Sequence, residues 1–225
     1  MKAMILAAGF GKRMLPLTET LPKPLLKVGD KSLIERNIDF LAEAGINEIV
    51  INIFYLAEMI PEYLNDRYPK IKISYSKEDK ILGTGGGIKK ALSFLGSKPF
   101  VLVNSDIYHN FSFHDFDCDV ENAHLYGVKN PAHNQNGDFS IDDSNKIYID
   151  SKNNLTWSGI SIINPNIFKE IKKDSFDVWK DLLTNLIAKK KITGKKIDDP
   201  WVDVGTIDRL DKANKMYNEK IKNYE

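Results

Sequence analysis

Cysteine occurs once in the 225 residues, at Cys118. A chain with one cysteine forms no internal disulfide and no cysteine-based metal cluster, which fits a reducing, cytoplasmic setting. Cys118 also sits among aspartates, whose charge opposes a reactive thiolate. Long apolar runs are missing. Met1 to Leu6 is too short for the apolar core of a signal peptide, and no stretch reaches the ~20 residues of a membrane-spanning helix. Charge of one sign is lacking as well. The formal net charge is +1, so no overall field draws the chain to nucleic acid or membrane. The longest like-charged run, Lys189-Lys190-Lys191, reads as a solvated helix end. His109, His114, His124 and His133 show no H-E-x-x-H spacing, and Ser158-Gly159 lacks a G-x-S-x-G elbow, so zinc-protease and serine-hydrolase chemistry have no motif here. No linker, repeat or low-complexity segment divides the chain.

What is present is a normal globular composition, 42% hydrophobic and 28% charged, and enough length for one sizeable core. The first half alternates strand and helix. Lys2–Leu6, Glu48–Phe54, Ile71–Tyr75 and Pro99–Val103 read as strands. Between them, helices are expected from the Ser32-Leu33-Ile34-Glu35 capping box to Gly45, over about Leu56–Asp66, and from Thr84 as cap to Gly96. Pro16, Pro22 and Pro24 predict an extended, non-helical stretch. This alternation argues for an α/β fold whose parallel sheet is covered by helices on both faces. The second half reads as strands at Ala123–Val128, Asp138–Ile141, Lys146–Ile149 and Thr156–Ile163, with Asn- and Asp-rich turns that predict an antiparallel or mixed portion. A short helix at Pro165, an amphipathic one over Phe176–Ala188 and a charged one from Asp208 complete the pattern. The expectation is one domain of two lobes with a cleft between them.

The chain is organised around Leu6-Ala7-Ala8-Gly9-Phe10-Gly11-Lys12-Arg13-Met14 and Pro22-Lys23-Pro24. A glycine turn after a strand, with cations around it, suits a polyphosphate. It is neither G-x-x-x-x-G-K-[ST] nor G-x-G-x-x-G, since Arg13 follows Lys12 and the last glycine of the second pattern is missing. Ligands of such sheets bind at the carboxyl ends of the strands. Asn104-Ser105-Asp106 stands at one such end, and Trp201-Val202-Asp203-Val204-Gly205-Thr206 supplies a second carboxylate. Asp106 and Asp203 are candidate Mg²⁺ ligands, against the alternative of ordinary turn aspartates. Lys23, stiffened between prolines, and the planar fork of Arg13 are candidate phosphate binders, against the alternatives of a loop lysine and a surface salt bridge. Gly83 to Gly87 offers a second close approach, for a nucleobase or simply for packing.

Taken together, these motifs resemble those of the sugar-1-phosphate nucleotidylyltransferases, over nearly the whole length. The resemblance implies a Rossmann-like three-layer sandwich with a mixed, mainly parallel sheet, the nucleotide-diphospho-sugar transferase fold. The chain ends soon after Asp203, which predicts that no β-helix domain follows. It implies residues 1–225 as a single domain, with a nucleotide-binding half of about 1–110 and a sugar-phosphate half of about 111–225. Ala8, Gly9 and Gly11 would contact the nucleotide and Arg13 the triphosphate. Lys23 would steady the phosphates, and Gly83 and Thr84 would lie against the base. Asn104, Gly137, Asp138, Ser158 and Gly159 would meet the sugar phosphate, and Asp106 and Asp203 would hold Mg²⁺. Within the family, the short length with Gly137-Asp138-Phe139 and Ser158-Gly159-Ile160-Ser161 is similar to the N-acetylmuramate α-1-phosphate uridylyltransferases of peptidoglycan recycling. The expected partners are small molecules, an NTP and a sugar 1-phosphate, with no nucleic acid and no membrane, and the expected state is a monomer. One departure is that Tyr148 to Asn153 lacks the Glu-Lys-Pro element of many hexose-1-phosphate members, with Lys152 as a possible substitute. Other readings stay open: mannose-1-phosphate with GTP, glucose-1-phosphate, phosphocholine with CTP, or a catalytically silent nucleotide-sugar-binding regulator.

Overall fold

The computed structural model describes residues 1–112, 116 and 119–222. His114 and Cys118 lie outside the described residues. Strand β1 (Lys2–Leu6) leads to the glycine loop, which closes in a short 3₁₀ turn at Lys12–Met14. A second 3₁₀ turn, Lys23–Leu25, replaces the extended backbone expected there, because Pro24 is accommodated in its first turn. The hairpin β2 (Lys27–Val28) and β3 (Lys31–Ser32) precedes α1 (Leu33–Glu43). Here the capping box forms as expected: Ser32 N–H donates to Glu35 Oε2 at 2.8 Å, and Glu35 N–H to Ser32 Oγ at 3.3 Å.

Next come β4 (Glu48–Ile53), α2 (Met59–Leu64), β5 (Lys72–Lys77), α3 (Gly83–Leu95), β6 (Phe100–Asn104) and the short β7 (Ile107–His109). Helix α2 is shorter than expected. Pro61 falls within its first turn, so the regular helix starts at Met59. The second half adds β8 (Ala123–Lys129), β9 (Ser140–Ile141), β10 (Ile147–Tyr148) and β11 (Leu155–Ile163). It closes with a π-helical turn (Trp179–Leu183) running into α4 (Thr184–Ala188), then β12 (Ile192–Ile197), β13 (Trp201–Asp203) and α5 (Ile207–Lys222). Strand β12 was not anticipated. Lys195 and Lys196 hide an edge strand under a solvated sequence.

The main sheet has the order β12-β8-β11-β6-β1-β4-β5. Only β11 runs against its neighbours, pairing antiparallel with both β6 and β8, so the sheet is mixed and mainly parallel. Its alternating side chains feed two cores. Ala3, Ile5, Val101 and Val103 pack towards α1 and α2, while Met4, Phe100 and Leu102 pack towards α3 and the 176–188 segment. That makes three layers. A third cluster, containing Met14, Leu33, Val202, Val204 and Ala213, pins the glycine loop, α1, β13 and α5 together.

Candidate active site

Parallel pairing of β1 with β6 sets Leu6 opposite Asn104, so Ala7–Gly9 and Ser105–Asp106 leave the sheet side by side. Ser105 N–H donates to the Leu6 carbonyl at 3.1 Å. The gap between them is the switch point, where strand order turns in opposite directions, and it opens at the carboxyl ends of the strands. A cavity of about 380 Å³ lies there, lined by Ala8, Gly9, Gly11, Arg13, Lys23, Gly83, Thr84, Asn104 and Asp106 among others. A second cavity of about 370 Å³ is lined by Asn134, Asp138, Trp157, Ser158, Gly159, Trp201 and Asp203 among others. Asn104 and Asp106 line both, so the two spaces adjoin across them.

Gly11 turns the loop with φ 66, in the left-handed region, and its carbonyl accepts from Met14 N–H at 2.8 Å and Thr18 Oγ1 at 2.9 Å. Arg13 is exposed, and its side chain pairs with no described residue. Lys23 Nζ meets Asp106 Oδ2 at 2.5 Å. On the floor, Ala7 N–H donates to Asn52 Oδ1 at 2.8 Å, and Asn52 Nδ2 donates to Glu78 Oε1 at 2.8 Å. Glu78 Oε2 accepts Leu82 N–H at 3.2 Å, tying β1, β4 and β5 to the start of α3.

Asp203 reaches the site because β13 pairs antiparallel with β7, directly after Asp106, and Val204 N–H donates to the Asp106 carbonyl at 2.7 Å. Burial pushes the Asp203 carboxyl up, against the opposing pull of Arg209. Arg209 Nη1 donates to Asp203 Oδ2 at 2.6 Å and to His133 Nε2 at 2.8 Å. Asp203 Oδ1 is buried and accepts no hydrogen bond from any described residue, although His133 Nε2 lies 3.0 Å away. A buried carboxylate oxygen without a donor suits a cation.

Thr84 does not cap α3. The helix begins at Gly83, and the Phe176 carbonyl accepts the Gly85 and Gly86 N–H groups at 3.0 and 3.3 Å. Thr84 Oγ1 instead accepts Val178 N–H at 2.9 Å and donates to Asp177 at 3.2 Å. Gly85 and Gly86 serve packing. A Cβ on either would sit 2.2 Å from the Phe176 ring or from the Asp174 carbonyl oxygen, so only Gly83 and Thr84 of this stretch reach the cavity. Asp138 lines the second cavity, its carboxylate accepting from Asn134 Nδ2 at 3.0 Å and Trp157 N–H at 2.8 Å. Gly137 is not among the residues lining it and turns the loop behind Asp138. Lys152 is exposed and lines neither cavity. Asn52, Glu78, His133 and Arg209 were missed by motif reading, and Trp201 was read only as part of the Asp203 motif, without a role of its own. Asn52 follows the apolar Ile49-Val50-Ile51, the same signal that marked Asp106, whereas Glu78 follows Ser76 and Lys77 and no apolar run marks it.

A glycine loop and a carboxylate at the switch point of a mainly parallel sheet, with a second carboxylate brought beside it, define a nucleotide-binding α/β protein. Residues 2–220 match the nucleotidyl transferase family model, and the chain belongs to that family. It is 40% identical to an N-acetylmuramate alpha-1-phosphate uridylyltransferase of Neisseria meningitidis serogroup B, over 96% of this chain and 98% of that one. It is 31% identical to the mannose-1-phosphate guanylyltransferase catalytic subunit beta of Dictyostelium discoideum, covering 91% of this chain and 61% of that longer one. The crystal structure of HddC from Yersinia pseudotuberculosis shares the fold, with TM-score 0.81, 24% identity and coverage of 96% and 99%.

Proposed function

We propose that this chain transfers a uridylyl group from UTP to N-acetylmuramate α-1-phosphate, giving the UDP-sugar and pyrophosphate, as a cytoplasmic step of peptidoglycan recycling. The observation that carries the reading is the 40% identity to the Neisseria uridylyltransferase over almost the whole of both chains. Two adjoining cavities that share Asn104 and Asp106 support it, since the reaction needs two substrates to meet at one phosphorus.

In this reading the first cavity takes the triphosphate. A Cβ on Gly9 would meet no protein atom within 4 Å, so the open space above that backbone is available to a ligand. Ala8, Gly9 and Gly11 lie along the nucleotide, Gly83 and Thr84 lie at the base, and Arg13 faces the phosphates without a competing partner. The second cavity takes the sugar phosphate, with Asp138, Asn104, Ser158 and Gly159 on its wall. An oxygen of the sugar 1-phosphate attacks the α-phosphorus in line, and the bond to the pyrophosphate oxygen breaks. The attacking oxygen is already anionic, so no general base is required. Lys23 and Arg13 neutralise charge on the α-phosphoryl and leaving oxygens, and the rigid loop holds the two reactants in position. Asp106 and Asp203 would hold Mg²⁺ through few protein oxygens, which would withdraw charge from the phosphate oxygens completing its shell.

The test is pyrophosphate release with four triphosphates crossed against muramic, glucosamine, glucose and mannose 1-phosphates and phosphocholine. UTP with N-acetylmuramate α-1-phosphate is expected to give the highest kcat/KM. A different pair in first place overturns the substrate assignment. Nucleotide-sugar binding without turnover of any pair overturns the enzymatic one.

A further inference from the structure

Two guanidinium groups converge on Gly205. A Cβ there would lie 2.2 Å from Arg209 Nη2 and 3.1 Å from Arg13 Nη2. Gly205 lines the first cavity, while Asp203 and His133, the partners of Arg209, line the second. Arg209 itself lines neither cavity; it lies behind their shared wall, between Gly205 on one side and Asp203 and His133 on the other. Its Nη1 is fully used by Asp203 and His133, whereas its Nη2 donates to no described residue. Arg13 has no ion-pair partner among the described residues. Two like charges side by side repel unless an anion lies between them.

The second cavity has the opposite imbalance. Its walls carry the carboxylates Asp106, Asp138 and Asp203, with His133 and no lysine or arginine. Lys23, a lysine of the first cavity, is paired with Asp106 and, in the proposed mechanism, is committed to the α-phosphoryl and leaving oxygens. A phosphate monoester entering this acidic space needs a cation at its inner end, and a guanidinium edge matches phosphate oxygens in geometry as well as charge. We propose that Arg209 seats the phosphate of the sugar 1-phosphate at this shared wall, its free Nη2 donating to a phosphate oxygen beside Arg13. The inference rests on the sugar-phosphate reading of the second cavity and adds the residue that fixes its reacting end.

Arg209 also touches Asp203, so the experiment separates the two roles. Binding of N-acetylmuramate α-1-phosphate and of α-glucose 1-phosphate is measured calorimetrically on the nucleotide-free protein, and Mn²⁺ binding is measured separately by electron paramagnetic resonance. Arg209→Met is expected to weaken sugar-phosphate binding by about 10-fold or more, with Arg209→Lys intermediate and Mn²⁺ affinity changed by less than about 3-fold. The exposed Lys152→Met control should bind as the wild type does. In turnover, the KM for the sugar phosphate should rise with the KM for the triphosphate little changed. Unchanged sugar-phosphate binding in both folded Arg209 variants overturns the proposal, as does a loss confined to Mn²⁺ binding, which would make Arg209 a support for Asp203 alone. Wild-type protein that binds neither sugar phosphate overturns it too. Wild-type binding without turnover would instead leave the seat standing and remove the catalytic reading.

Discussion

Asp106 and Asp203 come from distant parts of the chain, yet one strand pair, β7 with β13, delivers both. Their circumstances differ. Asp106 is paired with Lys23, while Asp203 keeps one oxygen without a donor. On the proposed mechanism Asp106→Ala should lower kcat by about 10³-fold, the scale on which removing a preorganised electrostatic partner acts. A variant with near-normal pyrophosphate release would remove Asp106 from the chemistry. A half-buried histidine gives a second prediction, of stability rather than activity. His109 packs 4.5 Å from the Phe40 ring and 4.6 Å from that of Phe111, and its Nδ1 accepts the Phe111 N–H at 3.2 Å. Burial holds its pKa down to about 3, with the charge of Lys220 acting the same way. The unfolded chain takes up this proton near pH 6.5 and the folded one does not. Stability is therefore complete above pH 6.5 and falls as the pH drops from there towards 3. Allowing for partial exposure, the loss at pH 5 should be on the order of 1 kcal/mol. Denaturant titrations of wild type and His109→Gln at pH 7 and pH 5 measure it. An identical pH dependence in the two proteins would show that His109 does not supply it.

At the level of elements, α1 and α3 start in opposite ways. The Ser32 capping box is local, a four-residue pattern whose donors and acceptors all lie within it, and it was legible. Ser32→Ala should cost about 1 kcal/mol of stability, read as a lower denaturation midpoint. The start of α3 is tertiary. Its N–H groups are met by a carbonyl about 90 residues away in sequence, and no local pattern announces that. Thr84 looked like a cap because threonine before an apolar stripe usually is one, whereas here it holds the 176–178 segment. Thr84→Val leaves the Val178 N–H unpaired and should cost about 1–2 kcal/mol. Because Thr84 lines the first cavity, the KM for the triphosphate should rise as well, and Thr84→Ser should restore both. Failure of serine to rescue would mean that the methyl group, not the hydroxyl, matters. The same distinction runs through the site. Ala8, Gly9, Arg13, Lys23 and Asp106 were readable because they cluster in motifs at strand ends. His133 and Arg209 were not, because only folding brings a loop and the first turn of α5 to Asp203. Strand β12 was hidden for a related reason: at the edge of a sheet, lysines face water and apolar alternation fades.

Across the whole molecule, the question is whether the two halves are separate folding units. The sheet argues that they are one. Strand β6 of the first half pairs over four residues with β11 of the second. Both major cores draw from both halves: Val101 and Val103 pack with Ile160 and Ile162, and Ile88 and Leu102 pack with Leu182 and Leu183. Separating the halves would uncover two apolar layers and an unpaired strand edge together, so each half would lose packing that it shares with the other. We therefore expect one cooperative unfolding transition. The placement of tryptophan makes this testable without labels. Trp157, Trp179 and Trp201 all lie in the second half, so fluorescence follows that half alone, whereas far-UV circular dichroism follows helices α1, α3 and α5 across the chain. Urea titrations followed by the two signals should coincide in midpoint and slope. A fluorescence transition that precedes the dichroism by about 0.5 M or more would show the sugar-phosphate half opening on its own, and would put the cleft between two independently stable lobes.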